Sequence, residues 1–97
     1  MNYTLHPEAQ HDLRAAAEFY RERGGGALAQ SLLAEFERSV NLLLQHPQLG
    51  ALWRHGKRRL IVQHFPYSIV DAVAADDIRL LAVAHQSRRP GYWRGRK

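Results

Sequence analysis

The sequence predicts an α+β domain of order β-α-α-β-β-β, an antiparallel sheet with an antiparallel two-helix hairpin packed on one face. Three observations predict it. Apolar residues recur at helical spacing from Ala9 to Leu44, then give way at Lys57 to runs rich in Val, Ile and Leu. The glycines Gly24, Gly25 and Gly26 break the helical region once, and Pro47 ends it. Helices grouped ahead of strands favour a segregated α+β fold over alternating α/β units. A chain of 97 residues forms one domain over 1–97. At that length roughly two-thirds of the unfolded surface is buried, enough for one core.

Residues 2–6, NYTLH, alternate weakly and predict a short first strand. Pro7 suits the first turn of a helix, where its missing N–H has no intrahelical partner. Glu8 and Asp12 fall near the helix start, where negative charge is favoured. Ala9, Leu13, Ala16, Ala17 and Tyr20 form one apolar face, opposite Arg14, Glu18, Arg21 and Glu22. Beyond the glycines, Leu28, Leu32, Phe36, Val40 and Leu43 form the stripe of a second helix, broadened by Leu33 and Leu44. Three strands follow in KRRLIVQHF, YSIVDAVA and IRLLAVAHQ, separated by Pro66 and by the turn ADD at 75–77. The first of the three is expected near the sheet centre.

Composition narrows the chemistry. There is no cysteine, so disulfides and thiolate metal sites are excluded. The six histidines are scattered without H-x-x-x-H or HExxH spacing, so no metal and no cofactor are expected. Neither a Walker loop, nor G-x-G-x-x-G, nor G-x-S-x-G is present. No apolar run approaches the roughly 18 residues of a membrane span, and the N-terminus lacks a signal-peptide pattern. A cytoplasmic protein without membrane contact is expected. Charge is uneven: residues 1–37 carry net −3 and residues 38–97 net +8. The last twenty residues hold no acid. This half suits an anionic partner or, equally, a solvated basic surface.

Candidate functional residues gather at the end of the last strand. His85, Arg88 and Tyr92 are the side-chain types that metal-free RNA cleavage uses to move protons and hold a phosphate. Arg58, Arg59 and Arg89 could add target or phosphate contacts through forked guanidinium donors. Structural roles compete with each assignment. His85 is equally suited to cap the sheet edge, and Tyr92 and Trp93 to anchor the tail. Strand alternation turns one of Arg58 and Arg59 away from the other. Residues 94–97 are expected to be a frayed basic end.

The ordered set HPEAQHDLRAAAEFY, LLLQHPQLG, FPYSIVDAV and IRLLAVAHQSRRPGYW resembles the RelE/ParE superfamily of type II toxin–antitoxin toxins, closer to the ParE-like branch. The resemblance implies a β-α-α-β-β-β fold. It also implies a cognate antitoxin, of ribbon-helix-helix or similar type, whose acidic C-terminal segment folds over the toxin. ParE-like members inhibit DNA gyrase; RelE-like members cut mRNA on the ribosome. The hairpin and HPQLG look ParE-like, whereas His85, Arg88 and Tyr92 are types that RelE-like nucleases use. The lysine-rich stretch of RelE is absent, and Asp71 stands where many relatives carry a tyrosine. An inactive relative acting only as a binding domain is the third alternative.

Overall fold

A computed structural model describes residues 2–53, 56–89 and 91–97. The elements are β1 (Asn2–Leu5), α1 (Pro7–Gly24), α2 (Gly26–Gln45), β2 (Ala51–Leu52), β3 (Arg58–Ile61), β4 (Tyr67–Ala74) and β5 (Asp77–His85). They form a helical hairpin on a five-stranded sheet of order β1-β5-β4-β3-β2.

Helix α1 starts where expected. The Nδ1 of His6 accepts the Glu8 N–H at 3.0 Å, and Pro7 occupies the first turn. Its small buried residues Ala9, Ala16 and Ala17 let the helix approach the sheet closely. In α2 the buried stripe is Ala29, Leu32, Phe36, Val40 and Leu43. Leu28 lies outside it, because it folds over the turn onto Gly24, where a Cβ would come within 2.5 Å of its Cδ2. The predicted three-glycine connection is in fact one residue. Gly25, at φ 86° and ψ 177°, closes α1 and opens α2; its N–H donates to Arg21 O and its carbonyl accepts from Ala29.

Strands β3, β4 and β5 make the two predicted hairpins. Four details differ from expectation. The two-residue β2 inserts one more reversal of direction, and β5 runs parallel to β1, so the sheet is mixed. Strand β3 lies next to the edge, and β4 is central. β3 is also shorter than the run KRRLIVQHF, since the chain turns after Val62 through His64 at φ 69°.

The helix-side core joins Leu32, Phe36, Val40 and Leu43 to Tyr67, Ile69, Ile78, Leu80 and Val83. The other sheet face is covered by the tail. Trp93, with no exposed surface, packs on Val70 and Ala82, flanked by Trp53 and Tyr92. Trp93 is thus the anchor that the sequence suggests.

Strand β1 ends at Leu5 and leaves the rest of the β5 edge without a strand partner on that side. A register shift at Val70/Asp71 skips Leu81, whose carbonyl is left outside the ladder. That carbonyl accepts from Arg96 Nη1 at 2.9 Å, and the Val83 N–H donates to Asp12 Oδ2 at 3.2 Å. The two caps pair with each other at 2.7 Å, both largely buried. Residues 94–97 are therefore not a frayed end as expected: Arg96 completes the sheet edge, and the Lys97 carbonyl accepts from Arg79 Nε at 3.2 Å.

Asp71 is a buried polar exception. It has no exposed surface, and among the described residues neither carboxylate oxygen has a hydrogen-bond partner. Burial pushes its pKa from 3.8 up to about 6, with Arg58 across the ladder offsetting part of that rise.

Five substitutions test this arrangement, each readable by urea denaturation. Gly25→Ala should cost about 1–3 kcal/mol, because that backbone region is essentially glycine-only. Gly26→Ala, helical with open space around it, should be neutral or stabilising by up to about 1 kcal/mol. Asp12→Ala should cost about 3–5 kcal/mol by stranding the buried Arg96, and Tyr92→Phe only about 1 kcal/mol. For Asp71 the folded pKa lies above the unfolded one, so the folded state binds the proton more tightly. Its unfavourable contribution is full above about pH 6 and is relieved as pH falls toward 3.8. Asp71→Asn should therefore stabilise the protein near neutral pH by about 1–3 kcal/mol, with the gain shrinking in acid.

Candidate functional site

Alternation along β3 separates the two candidate arginines. Arg59 pairs in register with Val70, whose side chain faces the tail, whereas Arg58 pairs with Asp71. The Arg58 Nη1 donates to the Gly50 carbonyl at 3.0 Å and clamps the connection between α2 and β2. Arg59 instead stacks its guanidinium 4.5 Å over the Trp53 ring. Trp53 in turn packs on Trp93 with centroids 5.7 Å apart.

This places Arg59 in a small cup of about 110 Å³ with Trp53, Ser68, His85, Arg88, Arg89 and Tyr92. Five of the six sequence-selected residues, His85, Arg88, Tyr92, Arg59 and Arg89, thus meet at one site; Arg58 does not. The cup is cationic, with aromatic walls, and suits an anionic surface or a phosphate.

The internal hydrogen bonds limit what these groups do. The Tyr92 hydroxyl donates to Asp12 Oδ2 at 3.1 Å. Burial, and then the Asp12 charge, push its pKa up to about 12, so its proton is firmly held. Two guanidinium groups lie against its ring, with Arg88 at 3.9 Å and Arg96 at 5.0 Å from the centroid. Tyr92 is therefore a strut that carries Arg88. His85 stands edge-on to Tyr67 at 5.0 Å. Its Nδ1 accepts the Ser87 N–H at 3.0 Å, which puts the neutral imidazole proton on Nε2. That nitrogen is a donor in this state, not a base.

Two contributors went unselected in the sequence. Asp12 was legible only as an acid near a helix start, yet it joins α1, β5 and the tail. Trp53 carried a weak signal, an aromatic close to KRR, and it lines the cup. Among the described residues no group of three His, Asp or Glu side chains could hold a metal ion. No helix among them is long and apolar enough to cross a membrane.

Comparison with known proteins gives a family and several solved structures of similar fold. No curated protein matches at a significant level. A solved structure, the chromosomal ParDE toxin–antitoxin system from P. aeruginosa, is similar with a TM-score of 0.78 and 24% identity. The match covers 88% of this chain and 95% of that one, and at this identity it shows a shared fold. The family model of the ParE toxin of the type II toxin–antitoxin system parDE matches residues 3–90, which takes in both helices, all of the five strands but Asn2, and most of the cup. Over that span the sequence and the fold agree, and the chain belongs to the ParE toxin family of type II toxin–antitoxin systems.

Proposed function

We propose that the chain is a toxin that inhibits DNA gyrase and is silenced in the cytoplasm by a cognate antitoxin with an acidic segment. Membership of the ParE toxin family carries this reading. The locked proton of Tyr92 and the donor state of His85 Nε2 support it, since both fit a binding surface better than a proton-transfer site. In this reading Arg59, Arg88 and Arg89 contact the target through the cup, and Arg58 holds the α2–β2 connection. An acidic antitoxin segment complements the net +8 of residues 38–97.

A second reading, ribosome-dependent cleavage of mRNA, draws on the meeting of His85, Arg88 and Tyr92 at one cup. It requires His85 to turn away from Ser87, or to act through Nε2 as an acid.

Purified toxin should block gyrase supercoiling, and induction in cells should arrest growth with a DNA-damage response. Arg89→Glu, at an exposed position, should weaken inhibition about tenfold or more without lowering the melting temperature. Full supercoiling at large toxin excess would sink the gyrase reading. Cleavage of mRNA within codons on translating ribosomes, lost in His85→Ala, would favour the second. Absence of growth arrest on induction would leave only a binding domain.

A further inference from the structure

The helical hairpin leaves one corner of the sheet uncovered. A groove opens there on the helix-side face, away from the Trp53 cup, lined by His46, Leu49, Leu52, Arg58, Asp71 and Val73. Three large apolar side chains are exposed in it: Leu49 at 44%, Leu52 at 68% and Val73 at 42%. Its lining also includes Asp71, the fully buried carboxylate without a donor among the described residues.

Among the described residues no cation donates a hydrogen bond to that carboxylate. Arg58 lies opposite Asp71 in the ladder, but its guanidinium is turned to the carbonyls of Gly50 and Gln48. Among the described residues His46 is the other titratable group in the groove. Across the second ladder Asp71 meets Leu80, which is neutral. A buried carboxylate with no donor is costly, and a charge-assisted hydrogen bond removes much of that cost. An apolar rim around an acid matches a side chain with an apolar stem and a cationic head.

We propose that this groove binds a peptide segment of a partner protein that presents a lysine or arginine between apolar residues. The cationic head takes Asp71, and the flanking residues cover Leu49, Leu52 and Val73. Asp71 is closed to bulk water in the free chain, so binding requires side chains to rotate. Leu52 projects from a two-residue edge strand and Val73 lies near the end of β4, where such rotation disturbs little backbone pairing. The site does not depend on gyrase or on the cup, since it lies on the opposite face and shares none of the cup residues.

The test uses the full chain and three blocked tripeptides, acetyl-Leu-Lys-Val-amide and its norleucine and aspartate analogues, followed by NMR. The lysine peptide should shift the Leu49, Leu52 and Val73 resonances and bind about tenfold more tightly than the norleucine peptide, the ratio set by one charge-assisted hydrogen bond. In Asp71→Asn, checked for an unchanged spectrum elsewhere, that preference should vanish while weak apolar binding remains. Equal binding of the two peptides to the unaltered chain would overturn the proposal. So would tighter binding of the aspartate analogue, which would assign the groove to Arg58. Concentration-dependent broadening of the same resonances without peptide would assign the face to a second copy of the chain and also overturn it.

Discussion

A single ion pair joins the three layers of this protein. Asp12 lies on α1, Arg96 lies in the tail, and between them they satisfy the Val83 N–H and the Leu81 carbonyl on the β5 edge. Strand β1 is too short to reach those groups, so without the pair a largely buried strand would carry unmet donors and acceptors. Here the ion pair does the work of a missing strand. Replacing one such group strands its partner in a low-dielectric setting, which is why a pair of this kind matters more than a surface bridge such as Arg21–Glu18.

The same carboxylate shapes the face that carries the basic cup. Asp12 holds the Tyr92 hydroxyl, Tyr92 carries Arg88 on its ring, and the tail seats Trp93 against Trp53 and so shapes the wall on which Arg59 stacks. The basic cup is thus a product of packing and edge completion. Chemical readiness is low in it: one candidate proton carrier is locked and the other is committed to a turn. A cationic, aromatic, pre-formed surface of this kind fits recognition of a partner, consistent with the family to which the chain belongs. The two faces of the sheet then differ in character, with cations gathered on the tail side and an unneutralised acid at the open corner on the helix side.

Much of the fold was legible in the sequence because it rests on local periodicity. The helix faces, the stop at Pro47 and the two hairpins follow from apolar spacing and turn residues, and all are found. Leu28 and β2 were not legible. Leu28 is drawn onto a bare Gly24 across a turn, and β2 is a two-residue strand that exists only because β3 offers it an edge. The parallel pairing of β1 with β5 depends on that added reversal. His85, Arg88, Arg89 and Tyr92 were found because they cluster in sequence, whereas Asp12 and Trp53 reach the same region from far along the chain.

By itself the sequence determined the α+β class, the helical hairpin, the uneven charge and a basic, aromatic end to the chain, since composition and period act over neighbouring residues. Only the tertiary structure decided that Arg59 and not Arg58 joins the cup, that Tyr92 serves as a strut, that Arg96 is structural and that Asp71 is a buried acid without a donor. Each of these depends on strand register, on a bulge that shifts it, or on contacts between residues many positions apart, and side-chain chemistry takes its role from that geometry.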